Sequence, residues 1–165
     1  MRLNRVHVGL PLALGQQLAL PEAAANHLVR VLRLREGDSC VLFNGDGHDF
    51  DARLHSVGKR ESKVEIVGRR AIDNDSPLRI TLLQGIARGE KMDLILQKAT
   101  ELGVARIVPV FAERTEVRLD GERLLKRSAH WHSVVVSACE QSWRTRLPQL
   151  DPASELSSAV VGSEA

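Results

Sequence analysis

The segment GIARGEKM, residues 85–92, crowds charged side chains directly before a helical pattern of apolar residues. It departs from a P-loop, which has four residues between its glycines and a Ser or Thr after the lysine, because three residues separate the glycines here and methionine follows the lysine. An ordinary helix start explains Glu90 but leaves Arg88 and Lys91 at the helix end where cations are unfavourable. That mismatch favours a bound anion. We therefore expect Arg88 and Lys91 to hold an RNA phosphate.

A second group of polar side chains lies in the segment PEAAANHLVRVLRL, residues 21–34. As a helix started by the proline, it carries Asn26, Arg30 and Arg33 at i, i+4 and i+7, with His27 at the edge of the same face. The apolar side consists of Leu28, Val31 and Leu32. Two interpretations of the polar face stay open. It is either an ordinary solvated surface or a phosphate-binding one, since arginine binds planar anions through paired hydrogen bonds.

The elements that surround this helix form a small, mostly antiparallel β unit. Four alternating runs predict its strands: RVHVG, DSCVLFNG, DFDARLHSVG and SKVEIVGRR. The turn dipeptides NG and DG at 44–47 lie between two of these runs. The pattern changes at the polar stretch 73–77. We therefore assign residues 1–72 to one domain and residues 77–165 to another.

In the second domain the period of the apolar residues changes from two to about 3.6. Gly103 ends a predicted helix whose buried stripe has five members, Met92, Ile95, Leu96, Ala99 and Leu102. The apolar run VARIVPVF that follows is typical of a parallel strand covered on both faces. Because the run LRITLLQGIA precedes the helix, these elements predict a βαβ unit.

A further long helix is predicted from Glu122 to Ser142, with Asp120 as its N-cap. Its apolar residues recur at helical spacing and define an inner face. That face consists of Leu124, Leu125, Ser128, Trp131, Val135 and Ala138. The second domain is therefore predicted to be α/β.

Composition limits the class of protein. The chain has 165 residues, of which 43% are hydrophobic, which is enough for a buried core. Cys40 and Cys139 are isolated thiols, so we expect two buried cysteines, no disulfide framework and no metal site. No run reaches the roughly 18 apolar residues of a membrane span, and the N-terminus lacks a signal-peptide core, so the cytoplasm is the expected compartment. The net charge of +2 permits a nucleic-acid partner without requiring one.

Several motifs, taken in order, resemble those of a known family. RGEKM is followed by QKATELG, by P-x-F-x-E-R at residues 109–114 and by ACEQSWRTRLP at residues 138–148. In the first half, NHLVRVLRLREGD and LFNGDG are similar to the signatures H-x-x-R-V-L-R and F-x-G-x-G of a PUA-like RNA-binding barrel. Together they resemble the 16S rRNA uridine-N3 methyltransferases of the SPOUT class over nearly the whole chain. Trp143 departs from that pattern, in which a small residue such as glycine is expected.

The resemblance implies an α+β protein of two domains. A PUA-like β-barrel is expected first, followed by the N-terminal part of an α/β SPOUT methyltransferase domain with a knotted, Rossmann-like fold. The implied reaction moves a methyl group from S-adenosylmethionine to N3 of a uridine in 16S rRNA of the 30S subunit, and the full-length protein is expected to be a homodimer. The resemblance identifies no catalytic base. Five residues match family motif positions without an assigned role, and a structural ion-pair network that links the two helices and the strand end is an equal alternative for them: Glu101, Arg114, Glu140, Gln141 and Arg144.

An absence limits what the resemblance implies for this chain. The family holds S-adenosylmethionine in a knotted C-terminal segment with a GPEGG-type loop and an LG-x-R-x-LR-x-ET-type stretch, and neither motif occurs here. We therefore expect the N-terminal portion of a longer methyltransferase, without the cofactor site and inactive by itself. A non-catalytic RNA-binding module is the alternative function, and a domain that binds a small ligand is a third.

Overall fold

The computed structural model describes four stretches of the chain: residues 4–58, 61–72, 74–111 and 121–161. The chain divides into two compact units, Met1–Asn74 and Asp75–Ala165, each with its own sheet. In the part of the chain that the structure describes, every helix is too short or too polar to cross a membrane.

The first unit is built on a five-stranded sheet in the order β1-β3-β4-β5-β2. Its strands are β1 (Arg5–His7), β2 (Gln17–Ala19), β3 (Ser39–Phe43), β4 (His48–Val57) and β5 (Ser62–Ala71). All neighbouring strands are antiparallel except β1 and β3. The inward side chains of β4, Phe50, Ala52 and Leu54, are buried in the core of this unit. The mostly antiparallel β unit predicted from the alternating runs is therefore observed.

The helix of the first unit changes its geometry after one turn. Helix α1 (Glu22–Ala25) continues directly into a π-helical stretch, Asn26–Val31, named here the π segment. The N–H of Leu32 donates to the carbonyl oxygen of His27, five residues earlier, at 2.9 Å, whereas an α-helix bonds four residues back. The wider turn shifts the later side chains, so the predicted apolar side is wrong for Val31, which is 67% exposed. Its neighbour Val29 packs against the core instead.

The second unit has a parallel sheet of four strands with β7 at its centre. Its strands are β6 (Thr81–Gly85), β7 (Arg106–Phe111), β8 (Gln149–Leu150) and β9 (Ser154–Glu155). Strand β6 pairs with one side of β7, and β8 and β9 pair with the other. Four consecutive residues of β7 are buried. Both faces of β7 are covered, as predicted from its continuously apolar sequence, since Ile107 packs in one apolar cluster and Val108 and Val110 pack in another.

Three helices accompany this sheet, α2 (Glu90–Glu101), α3 (Gly121–Ser142) and α4 (Leu156–Val161). The predicted stripe of α2 is confirmed at Met92, Leu96 and Ala99, which are buried, but it is wrong at Leu102, which is 81% exposed. Leu102 is the C-cap, where the chain already leaves the helix. Gly103 follows with φ 93°, and its N–H and that of Val104 donate to Thr100 and Ala99, which is the double hydrogen bond of a Schellman ending.

Helix α3 packs through its second half. Trp131, Val135 and Ala138 are buried as predicted, together with Cys139. Leu125 was predicted to face inwards, but it is 70% exposed. Its position in the first turns of α3 explains the error, because the residues of α3 in the main apolar cluster of this unit begin at Trp131. The predicted N-cap, Asp120, lies outside the described residues.

Candidate functional site

The charged start of α2 follows the carboxyl end of β6, the edge at which open α/β sheets bind their ligands. Gly89 is the N-cap, and its φ of 56° and ψ of −134° form a conformation that favours glycine. As a glycine, Gly89 has no side chain to cap this helix end. The N–H groups of Lys91 and Met92 donate to the carbonyl oxygens of Arg88 at 3.3 Å and Gly89 at 3.2 Å. Arg88 and Lys91 are both exposed here. The structure therefore places the two predicted cations together at the amino end of α2.

The first unit contains a polar groove of about 320 Å³. Three parts of the unit form it: the end of β2, the first turns of α1 and the π segment, and the turn before β5. Asn26 and Arg30 line one wall of this groove, and the carboxylates of Glu22 and Glu61 also line it. The structure therefore brings two of the predicted RNA-binding residues together, in a groove rather than on a flat helix face.

The other two predicted residues of this region lie outside the groove lining. His27 is exposed on the π segment. Arg33 follows the end of the segment and has φ 57°, in the left-handed region, while the N–H of Leu34 donates to Leu28 at 3.0 Å. The predicted i+7 spacing of Arg33 is therefore wrong, because the helix ends before it. Arg33 remains exposed to solvent next to the segment.

The family motif positions have different surroundings. Glu101 accepts hydrogen bonds from Lys98 at 2.7 Å and Gln97 at 2.9 Å on its own helix, and the bond from Lys98 lowers the pKa of Glu101. Glu140 is half-buried in α3, and Gln141 is exposed beside it. Arg114 lies outside the described residues. The hydrogen bonds of Glu101 within α2 are those of an ordinary helix surface.

Arg144 has a structural position. Its side chain is buried, and one guanidinium nitrogen donates to the carbonyl oxygens of Thr100 at 2.9 Å and Val104 at 3.0 Å. Its Nε donates to Asp75 at 3.0 Å. Arg144 therefore satisfies carbonyls at the end of α2, which supports the interpretation of this motif position as part of an ion-pair network.

The carboxylates that accompany Asn26 in the groove were not predicted from the sequence. Glu22 precedes Asn26 by one helical turn, so spacing alone could have placed it nearby. Glu61 comes from the turn between β4 and β5, far away in sequence, and no local pattern could have identified it. The ion pair of Arg144 with Asp75 joins residues 69 positions apart, so no local pattern could have predicted it either.

Comparison with known families matches both units. A family model described as an RNA methyltransferase domain matches residues 74–164, which is more than half of the chain, and an RNA methyltransferase PUA domain matches residues 20–67. The chain belongs to this RNA methyltransferase family. The resemblance that its motifs indicated is confirmed.

Individual relatives agree with this assignment. The chain superposes with a TM-score of 0.92 and 43% identity on the crystal structure of a ribosomal RNA small subunit methyltransferase E from Neisseria gonorrhoeae bound to S-adenosyl methionine, covering 96% of this chain and 65% of that one. It is 29% identical over 149 residues to the enzyme of the same name from Buchnera aphidicola, covering 90% of this chain and 61% of the relative. The corresponding Bacillus subtilis enzyme is 30% identical over 125 residues, 76% of this chain and 49% of its own length. The predicted fold class is confirmed, and the chain spans about half to three fifths of these two curated relatives.

A groove of about 380 Å³ between α2 and α3 in the second unit does not fit S-adenosylmethionine. Four of its lining side chains, Glu90, Leu94, Ser137 and Gln141, are exposed. A cofactor of this size needs a concave pocket that buries most of its surface. The expectation that the cofactor site lies outside these residues stays a prediction.

Proposed function

We propose that this chain is the RNA-binding part of a methyltransferase that modifies N3 of a uridine in 16S rRNA of the 30S subunit. The observation that supports this most strongly is its match, over 96% of its length, to the Neisseria gonorrhoeae relative that was crystallised with S-adenosyl methionine. S-adenosylmethionine supplies the methyl group in this reaction. The proposal includes a homodimeric full-length protein in the cytoplasm.

The amino end of α2 contributes positive charge to this reaction. N3 of uridine is a weak acid, so its methylation requires removal of a proton and stabilisation of the resulting anion. Arg88 and Lys91 are exposed at that end, next to the carboxyl edge of the sheet. Their role in this proposal is to hold either the RNA backbone or the uridine anion.

The π segment and the residue that follows it contribute RNA binding by the first unit. Arg30 and Arg33 are both exposed, and neither has a polar partner within the described stretches. Guanidinium groups that are not engaged by carboxylates are available to phosphates. Asn26 and His27 complete this surface as hydrogen-bonding groups.

A non-catalytic RNA-binding module is the second candidate function. The open groove between α2 and α3 favours it, because that groove does not enclose a cofactor. In this case the chain binds the same RNA through the same arginines and carries out no chemistry.

The double variant R30A/R33A tests the RNA surface. Each phosphate contact contributes about 0.7 to 0.9 to the slope of log K against log salt, so loss of both contacts should flatten the slope by roughly one to two units. Binding to a small-subunit rRNA fragment is measured between low and physiological salt. Stability should change little, because both side chains are exposed.

Arg53 provides a matched control, since it is an exposed arginine on β4 of the same unit. R53A removes one positive charge without touching the π segment, and its salt slope should equal that of the wild type. An unchanged salt slope in R30A/R33A would show that these arginines contact no phosphate and belong to an ordinary solvated surface.

A further inference from the structure

The groove of the first unit combines hydrogen-bonding groups that have no use in the fold. Asn26, Arg30 and Glu22 line it, and none of the three has a polar side-chain partner among the residues that the structure describes. Glu61, on the same lining, forms an ion pair with Lys63 at 2.9 Å between two exposed side chains. A π-helical stretch forms part of the wall, and such stretches occur frequently at functional sites.

The size of the groove limits its ligand. Its volume of about 320 Å³ lies at the lower end of the range for small-molecule sites, roughly 300 to 1,000 Å³. A duplex or a helix does not enter a groove of this volume, whereas a single unpaired nucleotide does. Proteins that read RNA sequence commonly take unpaired bases out of the stack and bond their Watson–Crick edges.

The hydrogen-bonding groups restrict the base further. The amide of Asn26 both donates and accepts, so it pairs with the Watson–Crick edge of any base, and discrimination must come from the exocyclic amine that adenine, cytosine and guanine carry and uracil lacks. The second hydrogen of such an amine needs another acceptor, and carboxylates only accept. Glu22 and Glu61 provide carboxylates in the same groove. Uracil presents a carbonyl oxygen where these bases present the amine, and a carboxylate repels it.

We propose that this groove binds one unpaired RNA nucleotide and selects a base with an exocyclic amine over uracil, with Asn26 holding the edge of the base against the carboxylates of Glu22 and Glu61 and Arg30 contacting its phosphate. The inference rests on the proposed RNA-binding function and extends it. The nucleotide in the groove is then different from the uridine that is methylated. It gives the first unit a sequence preference in addition to its general attraction for phosphates.

Charge favours RNA over a basic peptide as the occupant. Residues 26–35 contain three arginines and no acidic side chain. This positive segment attracts a phosphate backbone and repels lysine-rich or arginine-rich chains. The carboxylate of Glu61 is also partly neutralised by Lys63, which weakens its attraction for a cationic side chain.

The test compares two single-stranded RNA oligomers of equal length, oligo(C) and oligo(U), binding to the 165-residue chain. Their phosphates are identical, so the ratio of their dissociation constants reports the base alone. We expect a preference for oligo(C) of roughly tenfold, the discrimination that a good two-bond base contact provides. N26A should reduce this ratio to below about twofold.

A second variant, which alters charge, distinguishes the loss of the Asn26 contact from unfolding of N26A. E22Q/E61Q keeps the shape of both side chains and adds N–H donors, so oligo(U) binding should improve more than oligo(C) binding, which unfolding cannot produce. E36Q/E122Q is its matched control, because it removes two exposed carboxylates that do not line the groove. This control should tighten both oligomers equally and leave the ratio unchanged.

The possible outcomes separate the two proposals. Two results would overturn the proposed nucleotide site while leaving the proposed RNA binding intact. One is equal affinity of the wild-type chain for both oligomers, and the other is an unchanged ratio of the two dissociation constants in N26A and E22Q/E61Q. Failure of the wild-type chain to bind either oligomer or rRNA overturns the proposed function itself. Competition for the groove by a lysine-rich peptide, with no effect of the groove variants on RNA, overturns the choice of occupant.

Discussion

Arg144 connects three separate parts of the second unit through one guanidinium group. It donates to the carbonyl oxygens of Thr100 and Val104 and to the carboxylate of Asp75. R144M should lower the free energy of unfolding by about 3 kcal/mol, because it leaves the half-buried carboxylate of Asp75 and the carbonyl of Val104 without this donor. The carbonyl of Thr100 also loses this donor but keeps the N–H of Gly103. Denaturant unfolding of the purified chain measures this change.

Arg146 is the matched control for that variant. Its Nε lies 3.7 Å from Asp75, but its side chain is 61% exposed. R146M should therefore cost less than about 1 kcal/mol, as exposed ion pairs contribute little. Equal losses in R144M and R146M would contradict the structural role assigned to Arg144.

Trp143 adopts a backbone conformation that usually belongs to glycine. It directly follows α3 with φ 63°, and its side chain is 41% exposed. A small residue such as glycine was expected at this position from the resemblance, and the positive φ is a backbone conformation that suits such a residue. A residue with a Cβ in the left-handed region costs roughly 1 to 2 kcal/mol.

The strain at Trp143 can be measured by comparing two variants. W143G and W143A both remove the indole ring, but only W143G also removes the Cβ that strains the backbone. We expect W143G to be more stable than W143A by about 1 kcal/mol in denaturant unfolding, in spite of the greater freedom of glycine in the unfolded chain. Equal stabilities would show that this backbone conformation is not strained.

At the scale of elements, regular periodicity was the most reliable part of the sequence. The 3.6-residue spacing of α2 and the continuously apolar sequence of β7 both predicted the observed packing, because each element is covered along most of its length. The predicted burial of Leu102 and Leu125 was wrong. The spacing of apolar residues indicates which face of a helix packs, but not how far along the helix the packing partner extends. Those limits are set by other elements of the fold.

The π segment shows a second limit. Its sequence, NHLVRV, also fits an α-helix, and the extra residue in the turn is a property of the backbone that side-chain spacing does not reveal. The shift moved Val31 out to solvent, and the helix ended before Arg33. Asn26 and Arg30 still lie together, since residues four apart remain neighbours on either kind of helix.

A buried thiol on strand β3 makes the free energy of unfolding of the first unit depend on pH in the alkaline range. Cys40 on this strand is buried as predicted, and burial raises the pKa of its thiol from 9.0 to about 12. The unfolded chain loses this proton above about pH 9 while the folded chain keeps it, so the stabilising contribution is complete below pH 9 and is lost as the pH rises towards 12. We expect the free energy of unfolding to fall by at most about 1.4 kcal/mol for each unit of pH in this range.

C40A tests this dependence. Unfolding free energies of the wild type and the variant are compared between pH 8 and pH 11, a range that starts below the ordinary thiol pKa of 9.0 and ends below the raised pKa of about 12. The small cavity left by the substitution lowers stability at every pH, but the difference between the two proteins should narrow as the pH rises. A constant difference across this range would contradict a raised thiol pKa.

At the scale of the whole molecule, the order of motifs predicted more than any single motif. RGEKM alone leaves several chemical interpretations open, but followed by QKATELG and ACEQSWRTRLP it identified the family that the comparisons confirm. The groove of the first unit could not be predicted in the same way. Its lining comes from β2, the helix and the turn before β5, which only the folded chain brings together.

The central claim is that this chain binds RNA but does not by itself form the cofactor site. Calorimetric titration of S-adenosylmethionine into the 165-residue chain tests it most directly. The Neisseria gonorrhoeae relative, 43% identical and crystallised with this cofactor, serves as the positive control. We predict no measurable heat of binding for this chain under conditions in which the relative binds and this chain still binds rRNA. A micromolar affinity for S-adenosylmethionine would contradict the claim and would place a cofactor site within these residues.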